Sequence, residues 1–378
     1  MIYLDNAATG GFKPVCVMET AVNVIRYLSA NPGRSGHRLS KTGAEFIYSC
    51  RKRLSNAFNN GCVERVIFTK NCTEAINMAL LGLNLNGGKI ITSVLEHNSV
   101  LRPLHRLKET ANVTITEIEP SNKKFVTLSD VASVYDDTVK LVILTHASNV
   151  TGYVNEIKEI GDFLREKSAV FMVDGAQSAG HIKIDMKKSN IDILCLAGHK
   201  GLYSIAGCGA LLFTENVKIE PTYLGGTGTE SFNPNQPDCY PEKLECGTLN
   251  LPAICSLVEG VRYVENNLEY IAEFLTSTTE YLINKLNNVK GVKIYSQKNP
   301  VGIVSFAING ISSNEVAEIL SNKFDIAERG GFHCAPKIHK FLNTDEEGLI
   351  RVSASPHNTK RELNALISAV KEIADTVN

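Results

Sequence analysis

The chain has 378 residues, of which 43% are hydrophobic and 21% charged, fractions typical of a globular protein. Its 39 basic side chains balance 40 acidic ones, and the net charge of −1 argues against a nucleic-acid partner. The longest apolar runs, such as residues 141–144 and 191–197, are far shorter than the roughly 20 residues that a membrane span needs. The first residues lack a secretory pattern, so the sequence predicts a cytoplasmic protein.

The ten cysteines are scattered, without a Cys-x-x-Cys pair or a cysteine–histidine cluster at zinc spacing. No metal site is therefore expected. In a reducing compartment most of these thiols should be free and buried as small hydrophobic groups. A cysteine with a chemical role must be recognised by the residues around it.

Short, nearly continuous apolar runs alternate with helical patterns through the first two thirds of the chain. The runs cover residues 66–69, 89–93, 114–118, 141–145, 169–173, 191–196 and 209–213. Helical stretches such as 73–83 and 156–167 lie between them. This alternation predicts a mostly parallel sheet covered by helices on both faces. We expect it to form a large α/β domain of residues 14–250.

The pattern changes after Pro252. A long helical segment covers about 252–288, and strand candidates at 292–295 and 302–308 precede helices near 313–323 and 358–376. This part is expected to form a smaller α+β domain of residues 251–378 together with residues 1–13. A chain of this length favours two such domains over one.

Two of the apolar runs end in polar residues with a chemical use. One run ends at Asp174, whose carboxylate could pair with the protonated ring nitrogen of a cofactor, or could cap a following helix. Another leads into Gly198, His199 and Lys200. A lysine on a partly desolvated loop can form an imine with an aldehyde cofactor, although a solvated surface lysine is the simpler alternative.

Two further loops follow strands. The turn at Asn71, Cys72 and Thr73 leads into a helix whose free N–H groups could bind phosphate, although many ordinary helices begin in this way. His97 follows the run 89–93, where an imidazole could stack on a cofactor ring or serve only a structural role.

A glycine-rich segment near the C-terminus contains Arg329, His333 and Cys334. The two glycines between Arg329 and Phe332 permit an unusual backbone, and Arg329 and His333 could bias the thiol towards its reactive thiolate form. A tight turn with an incidental cysteine is the alternative. Arg351, in an alternating strand, suits a bidentate clamp on a carboxylate or a structural ion pair.

Together these residues resemble the class V, fold-type I family of pyridoxal-5′-phosphate (PLP) enzymes, and most closely its group II cysteine desulfurases and selenocysteine lyases. The resemblance runs from the opening residues Tyr3 to Ala8 to the segment that follows Asn358. It implies a fold-type I PLP-dependent transferase, with a mostly parallel central sheet flanked by helices and a smaller α+β domain. The motifs in this order are more specific for the family than any single motif. The residues that they contain are His97, Asn149, Asp174, Gln177, His199, Lys200, Gly247, Thr248, Cys334 and Arg351.

The resemblance implies roles for the cofactor-binding residues. Lys200 matches the Schiff-base lysine, Asp174 the partner of the pyridine nitrogen and Gln177 the donor to the phenolic oxygen. The residues that match a stacking or phosphate-binding position are His97, Thr73, His199 and Thr248, the last donated by the neighbouring subunit of a homodimer. Cys72 occupies the phosphate turn where a threonine is usual, and Ala197 stands where a serine often precedes the lysine motif. Each change removes a hydroxyl donor, for which backbone N–H groups can substitute.

The resemblance also implies how a substrate would be held. Asn149 matches a residue near the substrate carboxylate and the cofactor oxygen, Arg351 the carboxylate clamp and Arg329 an active-site arginine. Cys334 matches the nucleophile that forms a persulfide. The stretch 225–243 is unlike the better-known members, so the docking of a sulfur-acceptor protein is not predicted from it.

The function that follows from the resemblance is conversion of L-cysteine to L-alanine, with transfer of sulfur to Cys334. Three alternatives stay open on the sequence alone. The chain could be a selenocysteine lyase, a class V aminotransferase or β-lyase without a persulfide step, or a PLP-binding regulator or sulfur-carrier scaffold without turnover.

Overall fold

A seven-stranded sheet forms the centre of the computed structural model, which describes residues 1–33 and 35–377. Its strand order is β2-β8-β7-β6-β5-β3-β4. All neighbouring pairs are parallel except the two that contain β8, so the predicted mostly parallel α/β architecture is confirmed. The strands of the chain are β1 (Ile2–Tyr3), β2 (Val66–Thr69), β3 (Lys89–Ser93), β4 (Thr114–Ile118), β5 (Val139–Thr145), β6 (Val170–Asp174), β7 (Ile193–Ala197), β8 (Gly209–Phe213), β9 (Val292–Ile294), β10 (Ile303–Ile308), β11 (Ile326–Ala327) and β12 (Ile350–Ser353).

The helices cover both faces of this sheet and surround the C-terminal strands. They are α1 (Val15–Tyr27), α2 (Arg38–Phe58), α3 (Cys72–Gly82), α4 (Asn98–Thr110), α5 (Leu128–Val134), α6 (Ile157–Leu164), α7 (Leu251–Leu286), α8 (Ser313–Phe324), α9 (Pro336–Leu342) and α10 (Lys360–Val377). None of the helices in the described ranges is long and apolar enough to cross a lipid bilayer.

The continuous apolar runs are explained by burial on both sides of the sheet. Along β5, Val142 and Leu144 belong to one hydrophobic core, whereas Leu141 and Ile143 belong to the core on the opposite face. Successive strand residues point to opposite faces, so a strand buried on both sides needs apolar residues at every position. This is why the seven runs in the sequence predict strands within two residues of their observed ends.

The C-terminal strands form a separate antiparallel sheet of order β12-β10-β9, and β1 pairs in parallel with β11. The first residues of the chain thus lie against its last third. The long helix α7 contacts two cores, because Leu257 packs under the central sheet while Leu275 packs with the C-terminal strands. The division at residue 250 therefore falls at the start of a helix shared by both cores, and the domain boundaries stay a prediction.

The fold gathers the carboxyl ends of the parallel strands at one edge. Strands β3, β5, β6 and β7 run in the same direction, so the loops that follow Ser93, Thr145, Asp174 and Ala197 leave from the same edge of the sheet. Ligands of open α/β sheets bind beyond this edge.

Helix α7 packs unusually closely on the loop that follows Lys200. A Cβ atom on Gly260 would lie 1.9 Å from the carbonyl oxygen of Leu202. In an ordinary helix Gly→Ala stabilises by about 1 kcal/mol, but here the clash reverses the sign. We expect Gly260→Ala to lower the free energy of unfolding by about 1–3 kcal/mol, measured by denaturant titration. Gly36→Ala, where no atom lies within 4 Å, is the control, and equal stability of the two variants would contradict the packing.

Candidate active site

Most of the predicted cofactor-binding residues meet in one cavity at the carboxyl edge of the central sheet. Eight of them line it: Cys72, Thr73, His97, Asn149, Asp174, Gln177, His199 and Lys200. They come from the ends of several strands, which explains why residues far apart in the sequence share a cavity. The structure thus brings together a lysine amine, a carboxylate, two imidazoles and a helix N-terminus.

Lys200 lies in this cavity without a hydrogen bond or ion pair to its amine from any described residue. Burial lowers the pKa of Lys200, and the nearby Asp174 carboxylate opposes that shift only in part. An unpaired ammonium in a desolvated pocket favours its neutral amine form, which is the nucleophilic form. The alternative of a solvated surface lysine is therefore excluded by its position.

The N-terminal segment holds the backbone next to this lysine. The carbonyl oxygen of His199 accepts hydrogen bonds from Gly10 N at 2.9 Å, Lys13 Nζ at 3.2 Å and Thr9 Oγ1 at 3.3 Å. Gln177 Nε2 also donates to the Ala7 carbonyl at 3.0 Å. The segment 5–13 was not assigned a role from its residue types, because its contacts are with positions about 170–350 residues away.

Asp174 ends β6 and accepts hydrogen bonds from Ala176 N at 2.9 Å and from Cys72 Sγ at 3.4 Å. No helix begins between β6 and β7 in the described chain, so the alternative role of Asp174 as a helix cap is not observed. Burial, followed by the charge of Asp174, raises the pKa of the Cys72 thiol well above its usual value. Cys72 is thus a protonated donor whose sulfur contacts Asp174.

The start of α3 forms an anion-binding geometry beside the cavity. Asn71 caps the helix by accepting from Glu74 N at 2.9 Å, which leaves the N–H groups of Cys72 and Thr73 without a partner among the described residues. Free N–H groups and the helix dipole at such an end favour an anion. Gly209 permits this placement, since a Cβ there would lie 2.7 Å from the carbonyl carbon of Asn71.

The two imidazoles of the cavity are neutral. Burial lowers the pKa of His97 to about 4, and burial together with the charges of Lys200 and Lys13 lowers the pKa of His199 to about 4. His97 also caps α4, where its Nδ1 accepts from Ser99 N at 3.0 Å. A neutral imidazole at this position can stack on an aromatic cofactor without the energetic cost of removing water from a charged ring.

The Cys334 loop approaches the same cavity from the C-terminal part of the chain. Gly331, His333 and Cys334 all have positive φ angles, of 100°, 51° and 56°. Asn149 Nδ2 donates to the His333 carbonyl at 2.8 Å, and Asn98 N donates to the Cys334 carbonyl at 2.7 Å. Asn149 lines the lysine cavity, so its amide links the cavity directly to the cysteine loop.

The thiol of Cys334 is exposed and lies 3.6 Å from Arg329 Nη2. The predicted assistance from His333 is not supported, because burial lowers the pKa of this imidazole to about 2 and keeps it neutral. Its Nε2 instead lies 3.1 Å from the Arg329 carbonyl. Arg329 is thus the cationic group that contacts the sulfur.

Arg351 is fully buried and is engaged in the structure. Its Nη2 contacts Asp5 Oδ1 at 2.8 Å, and its Nη1 donates to the Asn149 carbonyl at 3.0 Å. Its backbone pairs with that of Arg329. The ion-pair alternative is therefore what the structure contains, and a substrate carboxylate bound at Nη2 would compete with Asp5.

Thr248 is the one predicted cofactor-binding residue that the described chain leaves away from the cavity. It is exposed, and its hydroxyl accepts from Asn31 Nδ2 at 3.4 Å. Across residues 1–33 and 35–377, no group of three or more histidine, cysteine or acidic side chains is arranged to hold a metal ion.

Glu96, which precedes His97, is a residue that the sequence did not single out. It is fully buried and accepts from Ser93 Oγ at 2.6 Å and Thr145 N at 2.9 Å. Burial raises its pKa to about 8, so its carboxyl is protonated at neutral pH. It fixes the start of the loop that carries His97.

This protonation predicts a pH dependence of stability. An acid with a raised pKa keeps its proton in the folded state after the unfolded chain has released it, so Glu96 should lower stability as pH rises from about 4.5 to about 8. Between these pH values the free energy of unfolding should fall by up to about 1.4 kcal/mol per pH unit because of Glu96. Glu96→Gln should remove this contribution, as measured by denaturant titration at several pH values. Identical slopes in the variant and the unmodified protein would contradict the buried, protonated state.

Known proteins resemble this chain over almost its whole length. The Aminotransferase class-V family matches residues 2–366. A probable cysteine desulfurase from Methanothermobacter thermautotrophicus is 31% identical over 99% of this chain and 94% of its own length. A second, from Pyrococcus abyssi, is 31% identical over 100% of this chain and 95% of its own.

The fold is also that of a solved relative. The apo structure of a cysteine desulfurase from Thermococcus onnurineus NA1 superposes with a TM-score of 0.90 and 31% identity, covering 99% of this chain and 95% of that one. With the sequence match and the strand-end cavity, this agreement establishes that the chain belongs to the class-V aminotransferase family.

Proposed function

We propose that this protein is a PLP-dependent cysteine desulfurase that converts L-cysteine to L-alanine and keeps the sulfur on Cys334 as a persulfide. One observation carries the proposal: the half-buried, unpaired amine of Lys200 lines a cavity that Asn149 joins to the loop bearing the exposed Cys334 thiol. The relatives named as cysteine desulfurases, which span nearly the full chain, support the same activity.

The donor set of the cavity fits PLP. Lys200 offers the amine that would hold the aldehyde, Asp174 offers a carboxylate for the ring nitrogen, and the N–H groups of Cys72 and Thr73 offer an anion site for the phosphate. Cys72 and Ala197 add no hydroxyl there, and the backbone donors supply that role. His97 lines the same cavity and would stack on the ring, while His199, Gln177 and Asn149 would complete the polar lining.

Bound PLP supplies an electron sink that stabilises negative charge at the substrate α-carbon. The protein's own residues do the rest. Arg351, once free of Asp5, orients the substrate carboxylate, and the neutral amine of Lys200 accepts and returns the α-proton. The Cys334 sulfur attacks the substrate sulfur, an S–S bond forms and the C–S bond breaks. The three-carbon fragment is then protonated and leaves as alanine.

A test of this role removes the nucleophile. We expect Cys334→Ala to retain the visible absorbance of bound PLP but to lose sulfide release from L-cysteine by on the order of 100-fold or more, because the acceptor of the sulfur is gone. The exposed Cys239→Ala variant is the matched control and should keep full activity. Full turnover of L-cysteine by Cys334→Ala would refute the persulfide step. Equal loss in both variants would assign the effect to folding.

We also propose that the protein is a homodimer in which Thr248 contributes to the neighbouring subunit's site. Thr248 is exposed and is away from the cavity of its own chain. Helix α1 supports an interface, since its exposed side carries an apolar stripe at helical spacing formed by Val15, Met18, Val22 and Ile25.

Two further proposals concern the cysteines. The exposed Cys334 thiol supports transfer of sulfur to an acceptor protein. The ten free cysteines accord with a reducing, cytoplasmic setting.

Mixed dimers test the shared site. Lys200→Ala removes the amine from the site of the subunit that carries it. Thr248→Glu places a negative charge against the phosphate in the site of the neighbouring subunit. Each variant alone should be inactive. When the two variants are unfolded and refolded together, about half of the dimers should contain one copy of each. One of the two sites in such a dimer has both Lys200 and Thr248, so about a quarter of all sites, and about a quarter of the activity, should return. Thr110→Glu, an exposed change elsewhere, should keep activity alone. No recovery in the mixture would contradict the shared site.

A further inference from the structure

Glu328 is a buried acid that no step of the reaction above uses. Neither of its carboxyl oxygens has a hydrogen-bond partner among the described residues, and both are shielded from solvent. It directly precedes Arg329, whose backbone pairs with Arg351. On its other side, the Ala327 carbonyl accepts a hydrogen bond from Leu4 N at 2.7 Å. Glu328 therefore lies between two residues whose backbones bond to those of Leu4 and Arg351, next to the Asp5–Arg351 ion pair.

The guanidinium of Arg351 leaves only one edge for a substrate. Nη1 donates to the Asn149 carbonyl and Nη2 contacts Asp5, whereas Nε is buried and has no partner within the described chain. A carboxylate binds arginine best through two parallel N–H groups. The Nε–Nη2 edge can provide them, but Asp5 already contacts Nη2. Two carboxylates held on one nitrogen repel each other, so a substrate bound to this edge favours departure of Asp5 from Nη2.

A displaced Asp5 needs another donor. Its side chain is only 20% exposed, and a charge left unpaired in such surroundings is costly. Glu328 can supply that donor while its carboxyl carries a proton. Burial raises the pKa of Glu328 to about 8, with the Asp5 charge adding to the rise, so the carboxyl is protonated at neutral pH. A protonated carboxyl donates one O–H hydrogen bond.

We propose that Glu328 is a positioning residue for substrate binding: it receives Asp5 when the carboxylate of an amino-acid substrate takes the place of Asp5 on Arg351. This inference rests on the proposed function, because it assumes that Arg351 binds the substrate carboxylate. It explains why an acid is buried unpaired beside an arginine that already has a partner.

The exchange depends on pH. Above about pH 8 Glu328 loses its proton, no longer donates to Asp5, and competes with the substrate for Arg351. The other titratable groups around Asp5 and Arg351 do not replace it. Burial and the Asp5 charge raise the pKa of the Tyr3 phenol, and burial lowers the pKa of the His333 imidazole to about 2. Substrate binding should therefore weaken while the chemical step is unaffected.

The experiment compares the PLP-loaded protein with Glu328→Gln, whose amide is a donor that does not ionise, and Glu328→Leu, which has no donor. KM and kcat for L-cysteine are measured from pH 6.5 to 9.5. The ratio of wild-type to Glu328→Gln KM cancels the titration of the substrate itself. We expect this ratio to be about 1 at pH 6.5 and on the order of tenfold at pH 9, with kcat values within about twofold.

The second variant and a control keep the outcome interpretable. Glu328→Leu should have a higher KM than Glu328→Gln, and the ratio of the two KM values should not change with pH. If Glu328→Gln does not fold, Glu328→Leu takes its place in the comparison with the wild type. Glu318→Gln, an exposed change on α8, should follow the wild type at every pH. A KM ratio that stays near 1 up to pH 9.5, with alanine still formed, overturns the exchange and leaves the proposed function standing.

A readout without turnover separates the two hypotheses. The denaturation midpoint of the wild type, relative to Glu328→Gln, should fall as pH rises from about 4.5 to about 8 and level off above it, since the folded state retains the proton in that window. A constant difference overturns the protonated state and with it the exchange. Absence of alanine and sulfide from L-cysteine in the wild type refutes the proposed function instead, whatever the midpoints show.

Discussion

The site depends on the hydrogen bonds by which the N-terminal segment 5–13 joins two distant parts of the chain. At one end, three donors of this segment converge on the His199 carbonyl, next to Lys200. At the other end, Asp5 pairs with Arg351, and Ala7 N donates to Ser353 Oγ at 2.8 Å. The lysine comes from the central sheet and the arginine from the C-terminal sheet. Because one short segment bonds to both, the spacing between amine and guanidinium is set by backbone geometry rather than by contact between them.

Burial decides which titratable groups of the cleft tend to lose their charge. Lys200, Glu96 and Glu328 are all pushed towards their neutral forms, chiefly because desolvation penalises charge. The same burial keeps the imidazoles of His97 and His199 uncharged. The lowered pKa of Lys200 favours its amine form, which is the form that reacts with an aldehyde. Lys200 and Glu328, whose charged ends lack hydrogen-bond partners among the described residues, destabilise the fold locally, which is common where function rather than stability determines the side chain.

The sequence predicted the parts of this arrangement that obey local rules. The apolar runs identify strands because burial on both faces requires it, and Asp174 and Lys200 could be located because each follows such a strand. Contacts between distant residues have no local signature. The pairing of Asp5 with Arg351 spans 346 residues, and nothing in the neighbourhood of Glu328 distinguishes it from a surface acid. The lowered pKa of His333 likewise depends on three-dimensional burial, so the expectation that it biases Cys334 towards the thiolate is not supported.

Cys72 shows how a departure from the family pattern is accommodated. A threonine hydroxyl at this position would serve the phosphate, whereas the thiol of Cys72 contacts Asp174 at 3.4 Å. The side chain thus links the start of α3 to the end of β6, the two elements that would hold opposite ends of the cofactor. The N–H groups that favour an anion belong to the backbone of the first helical turn, and their direction is set by the Asn71 cap and by the close approach of Gly209. Since neither depends on the identity of residue 72, the anion site and the carboxylate contact can coexist in one turn.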